Sequence, residues 1–152
     1  MQIIVAQKCP DHLEKIRRYV AELDEERDQE ILYTSDPNAV EVNAEGEAFV
    51  VSGNVFESPT SGTDFGRRIK ERNPGALFFI FSFDPPDFPD AKVIDGIIPK
   101  GYSNDKDFRF LAMILASDLD GMTPQKLGAK FPRIRIYTLR EVKVGIRVQS
   151  DF

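Results

Sequence analysis

The chain has 152 residues, a formal net charge of −5, one Cys and one His. That length suits one ordinary domain needing no metal or disulfide staple, and the single Cys and His exclude a disulfide framework and argue against a structural zinc site. Hydrophobic residues at 41% and charged residues at 30% are the balance of a folded globular protein; no apolar run approaches the ~18 residues of a membrane span, and the start lacks the basic-then-apolar layout of a signal peptide, so the expected compartment is the cytoplasm, with no membrane partner.

In chain order, residues 2–6 form a β-branched apolar run that predicts a buried strand. Pro10 and Asp11 open a helix whose apolar stripe is Leu13, Ile16, Val20 and Leu23. The charge run 24–28 reads as a solvated helix end or loop, residues 30–34 as a second strand, and Ser35-Asp36-Pro37 as a turn and helix start. Residues 48–52 lack alternation and predict a strand buried on both faces. A loop over 58–62 leads to a helix capped by Thr63 or Asp64 and stopped at Asn73-Pro74-Gly75. Residues 77–83 are the most hydrophobic stretch, a central strand. Pro85, Pro86 and Pro89 forbid a regular helix over 84–90. A fifth strand over 93–99 and a helix from Ser103 to Leu119, closed by Gly121, complete the body.

Alternating strands and helices imply a parallel sheet with helices on both faces, with any site at the carboxyl ends of the strands. Charge divides this body from the C-terminal stretch: residues 1–122 carry 13 basic and 23 acidic side chains, a balance of −10, and residues 123–152 carry seven basic and two acidic, a balance of +5. The expected organisation is two domains, 1–121 and a C-terminal extension 122–152. In the extension Ile134 and Ile136 alternate with Arg133 and Arg135, and Val142, Val144, Ile146 and Val148 with Lys143 and Arg147. That pattern reads as a β-hairpin with one apolar and one cationic face. The last helix of the body is apolar all round, so Phe110, Met113 and Ile114 need a cover, either the extension or a partner protein.

Three segments carry a resemblance. They are residues 3–11; Ala48-Phe49-Val50-Val51-Ser52-Gly53-Asn54 with Ser61-Gly62 and Arg67-Arg68-Ile69-Lys70; and residues 77–82 with Asp95-Gly96-Ile97-Ile98-Pro99-Lys100. In order and spacing residues 1–121 resemble a bacterial response-regulator receiver domain. The resemblance implies a three-layer α/β/α sandwich of flavodoxin-like type on a five-stranded parallel sheet, a signalling role and a phosphorylation pocket at Gln7, Lys8, Asn54, Ser82 and Lys100. It also shows departures. Asn54 stands where receivers take a phosphoryl group on aspartate, and an amide cannot form the acyl phosphate. Gln7 and Lys8 stand where receivers hold Mg²⁺ with an acidic pair, and Mg²⁺ wants carboxylate oxygens. Ser82 and Lys100 match the family's hydroxyl and lysine. Gly101 replaces the proline usual after that lysine, Ile97 takes the place of the switching aromatic, and the fourth helix is expected to be short or missing.

The reading is a degenerate receiver, not an enzyme, with no cofactor and no metal. It would act in bacterial signalling as a phosphorylation-independent protein–protein interaction or dimerisation module, through Phe110, Met113, Ile114, Ile134 and Ile136. One alternative is an anion- or nucleotide-sensing domain using Lys8 and Lys100. Another is a nucleic-acid-associated protein using the basic tail, which seven basic residues without a recognition motif support weakly. Cys9-Pro10-Asp11-His12 resembles half of a thioredoxin-like motif, but no second cysteine exists to resolve a mixed disulfide.

Overall fold

The computed structural model describes residues 1–101 and 105–137. Among the described residues six strands form one sheet: β1 Gln2–Ala6, β2 Ile31–Thr34, β3 Ala48–Ser52, β4 Leu77–Phe81, β5 Gly96–Ile98 and β6 Arg135–Ile136, in the order β2-β1-β3-β4-β5-β6. The first five are parallel, and β6 runs antiparallel on the β5 edge. The chain starts mid-sheet, steps outward to β2 and then crosses to β3, so the strand order reverses between β1 and β3. Ala6 pairs with Ser52, which ends both strands at one level and opens a crevice there.

Helices α1 Pro10–Leu23, α2 Glu25–Glu30, α3 Gly62–Arg72, α4 Lys106–Ala116 and α5 Pro124–Lys130 join the strands. Pro10 presets φ at the first position of α1. Leu13, Ile16, Tyr19 and Val20 are buried, whereas Leu23 of the expected stripe is exposed where the helix ends. The charge run beyond it is helical rather than loop: the Asp24 side chain accepts from Arg27 N at 3.1 Å and starts α2. Ser61, not Thr63 or Asp64, caps α3, in a reciprocal capping box with Asp64.

Two cores flank the sheet. One packs α1, α4 and α5 against Ile3, Val5, Phe49, Val51, Phe79 and Phe81. The other packs Phe65 and Ile69 of α3, with Val40, Val42, Phe56, Val93 and Ile94, against Ile4, Val50, Phe78 and Ile80. This second face is thin in helix. Residues 35–47 hold only a 3-10 turn at Pro37–Ala39, and residues 82–95 hold no helix, because three prolines there remove the needed N–H donors.

The extension differs most from expectation. Thr123 caps α5 by accepting from Lys126 N at 3.2 Å, and Pro124 takes the first helical position, so a helix stands where a hairpin was expected to begin. Residues 135–136 then pair with β5, where Gly96 is required: a Cβ there would lie 2.5 Å from Arg135 O. The other half of the expected hairpin, at Val142, Val144, Ile146 and Val148, lies outside the described residues. Leu127 and Ile134 enter the same core as α1 and α4, so in its described part the extension completes the body.

That packing corrects the expected interaction surface. Ile114 is 0% and Ile134 4% exposed, both in the core. Ile136 is half-buried over Gly128, and Phe110 is half-buried, edge-on to Phe131 at 6.0 Å and under the Arg133 guanidinium at 4.4 Å. Only Met113 remains exposed. Apart from Met113, the second apolar face of α4 is covered by the chain's own α5 and the segment behind it.

Asp107 fastens this cover. Its carboxylate is buried and accepts from Gly101 N at 2.5 Å and Arg133 Nη2 at 2.6 Å, joining the β5–α4 connection to the β6 approach. Asp107→Ala leaves the partly buried Gly101 N–H without its acceptor and removes a charge-assisted bond. The expected loss is about 2–3 kcal/mol of unfolding free energy, read by urea denaturation.

Candidate functional site

The crevice forms where the chain leaves β1, β3 and β4 and where the segment after β5 returns. Its lining includes Gln7, Lys8, Asn54, Ser82 and Lys100, so the sequence-predicted positions do converge; Cys9, His12, Gly53, Val55, Phe83 and Asp84 complete it, around about 200 Å³.

Gln7 is the pivot, 1% exposed. Its Nε2 donates to Phe81 O at 2.9 Å and its Oε1 accepts from Lys100 Nζ at 2.7 Å. An amide can serve both a carbonyl and an ammonium, whereas a carboxylate at this position would face Phe81 O with no proton to donate. Lys100 is half-buried. Nζ meets His12 Nδ1 at 3.2 Å and lies 4.3 Å from the Phe83 ring centroid, 5.2 Å from that of Phe81 and 5.5 Å from that of Phe108. Three aromatic faces partly replace the water the ammonium has lost. Burial nevertheless pulls the Lys100 pKa down to about 8, with Cys9 acting the other way.

His12 is held below its ordinary pKa, first by burial and then by the charges of Lys100 and Lys15, with Asp11 opposing. A neutral ring leaves a lone pair for Lys100 to donate to. The ring sits edge-on to Phe83 at 5.4 Å and tilted against Phe108 at 5.2 Å. The imidazole thus serves Lys100 rather than Cys9, and Cys9 is a half-buried free cysteine at the start of α1 with no side-chain capping bond.

Asn54 and Ser82 do not reach the lysines. Asn54 Nδ2 donates to Asp84 O at 2.9 Å, and Ser82 Oγ accepts from Asp84 N at 3.1 Å, so both brace the start of the proline-rich loop. The Asn54 turn is pinned from below by Gly62, whose N donates to Asn54 O at 2.8 Å and whose missing Cβ would lie 2.3 Å from Gly53 O. Lys8 is exposed, 4.0 Å from the Glu57 carboxylate. Asp84 is the one acidic residue in the lining, and among the described residues no group of His, Cys, Asp and Glu could hold a metal ion. Sequence reasoning misses the aromatic cage of Phe81, Phe83 and Phe108. It notes His12 only beside Cys9, whereas the ring meets Lys100 Nζ on the segment after β5.

No family model matches the sequence, and no curated protein matches it at a significant level. Solved structures do. The two-component response regulator RcsB, in its complex with DNA, aligns with a TM-score of 0.52 at 15% identity, covering 100% of this chain and 78% of that one. The fold is that of a response-regulator receiver. The isolated REC domain of RcsB from Salmonella enterica serovar Typhimurium, in the presence of a phosphomimetic, aligns at 14% identity over 85% of this chain and 96% of that one, with a TM-score of 0.49. RcsB from the same organism bound to a promoter aligns at 15% identity over 86% and 68%, also at 0.49. Identities this low speak for the fold alone.

Proposed function

We propose that this receiver-fold protein is a signalling interaction module that works without phosphoryl transfer. The observation that carries the reading is the state of Lys100. Its ammonium already donates to two neutral acceptors, Gln7 Oε1 and His12 Nδ1, inside three phenylalanine faces. A lysine so engaged does not wait for a phosphoryl group to arrive. Asn54 offers no nucleophilic carboxylate, and the amide of Gln7 offers no Mg²⁺-binding charge. The crevice is therefore read as a fixed structural knot, with the recognition surface constitutively displayed around it.

The exposed apolar side chains nearest in sequence to the crevice loops are Val55, 50% exposed, and Phe88, 93% exposed on the proline-rich loop. They replace Ile114 and Ile134 as candidates for partner contact, and Met113 stays with them. Of the basic side chains on which the nucleic-acid reading rests, Arg133 is engaged by Asp107 and Phe110. The anion-sensing reading loses support because Lys100 is engaged within the chain.

Incubation with acetyl phosphate and Mg²⁺, followed by intact mass and light scattering, tests the proposal. The expected result is no added phosphoryl group and an unchanged molar mass in solution. A gain of one phosphoryl group that disappears in Asp84→Asn, the only acid of the crevice lining, would overturn it.

A further inference from the structure

A second concavity lies between α3 and the segment that precedes β3. It encloses about 300 Å³ and is lined by Asn38, Val40, Glu41, Val42, Arg68, Ile69 and Arg72, sharing none of its lining with the Lys100 crevice. Arg68 and Arg72 are four residues apart on α3 and so project from one helix face. Their guanidinium groups are tethered by neutral oxygens. Arg68 donates through Nη1 to Asn38 Oδ1 at 3.0 Å and through Nη2 to Pro37 O, and its guanidinium lies 5.3 Å from the Phe65 ring centroid. Arg72 donates through Nε to Val42 O at 2.8 Å. Among the described residues no carboxylate is ion-paired with either arginine, and Glu41, in the same lining, is paired with neither.

Two tethered cations thus share one groove whose carboxylate, Glu41, is ion-paired with neither. Elsewhere on the same helix Arg67 pairs with Asp64 and Asp90, and Lys70 with Asp95. Tethering matters because it removes the side-chain entropy that an anion would otherwise have to overcome. The Nε bond fixes the Arg72 plane and leaves its Nη1 and Nη2 edge with no partner among the described residues, the fork that two oxygens of one carboxylate or phosphate accept from. Val40, Val42 and Ile69 supply a floor of almost fully buried apolar carbons. A concavity of this size, apolar below with a few convergent polar groups, is the usual form of a small-molecule site.

We propose that the groove between α3 and residues 38–42 binds the phosphate or carboxylate group of a small anionic ligand, with Arg72 as the bidentate donor and Arg68 as the supporting charge. Glu41 at the rim disfavours highly charged anions and sets the preference toward a singly charged group.

Titration of the full chain with inorganic phosphate, and separately with acetate, tests this by following the arginine Nε–Hε signals by NMR. The expected result is a saturable shift of the Arg72 signal with at least one anion at millimolar concentration; the arm that saturates lower identifies phosphate or carboxylate as the source. Followed at the Arg68 signal, which every position-72 variant keeps, Arg72→Gln should weaken that binding by roughly tenfold or more, the worth of a lost charge-assisted bond. Arg72→Lys, which keeps the charge and loses the fork, should fall between, and Glu41→Gln should tighten phosphate. Lys100→Met should leave the titration unchanged, which separates this groove from the crevice. An Arg72 signal that moves with neither anion, or an equal affinity in Arg72→Gln with its circular dichroism intact, would overturn the proposal.

Discussion

Phe81→Ala is expected to lower the unfolding free energy by about 3–5 kcal/mol. Phe81 is 0% exposed at the last position of the central strand β4, with Phe108 of α4 edge-on at 5.5 Å and Lys100 Nζ at 5.2 Å from its ring centroid. Truncation removes the transfer free energy of the ring and leaves a cavity whose walls are a sheet and a helix, neither of which can collapse far. The side chain joins fold to site: its backbone carbonyl anchors Gln7, while its ring closes one side of the Lys100 cage. Phe88→Ala is the matched control. Phe88 is 93% exposed, so the same chemical change there should fall within about 0.5 kcal/mol of the parent. Urea denaturation of both variants checks the pair. A Phe81→Ala loss below about 1.5 kcal/mol would mean that the β4 end is not part of the cooperative core.

Legibility tracks the physics of each signal. β3 reads directly from sequence because Ala-Phe-Val-Val-Ser is apolar without alternation, and α1 because Pro10 and the Leu13–Ile16–Val20 spacing agree. Convergence of Gln7, Asn54, Ser82 and Lys100 is legible too, since parallel strands with switched order must bring those loop positions together. What those side chains do to one another is not legible. Hydrogen bonds among Gln7, Lys100 and His12 span up to 93 residues of chain, and nothing local chooses His12 over Ser82 as the second acceptor for Lys100. α5 escapes the sequence reading for a different reason. Thr123, Pro124 and Leu127 are ordinary helix-start chemistry, but the alternation of residues 133–136 draws the whole extension into one strand pattern, although the two signals occupy separate residues. Ile114 and Ile134 fall on an expected surface because an all-apolar helix demands a second cover; periodicity states the demand and leaves open which chain meets it.

Lys100→Met is expected to change the pH dependence of stability as well as its level. In the folded protein burial holds the Lys100 pKa at about 8, against an ordinary value near 10.5 in the unfolded chain. Between those two values the unfolded chain holds a proton that the folded chain has released, so the Lys100 contribution to stability rises with pH through that window and is at its lowest below pH 8. Comparison at about pH 7.5 and about pH 9.5 isolates it. His12, whose pKa is lowered, titrates below the window. Tyr33, raised by burial and then by its hydrogen bond to Asp28, loses stability only above its ordinary value of 10, where the unfolded phenol ionises first. Removing the amine also leaves Gln7 Oε1 and His12 Nδ1 without their donor, a cost that does not vary across this interval. The parent should therefore gain on the variant by on the order of 1 kcal/mol between the two pH values, after allowance for the solvent that still reaches the amine. Equal pH profiles would mean that the three phenylalanine faces and the two acceptors compensate fully for lost hydration, leaving Lys100 a permanent cation at the centre of the knot.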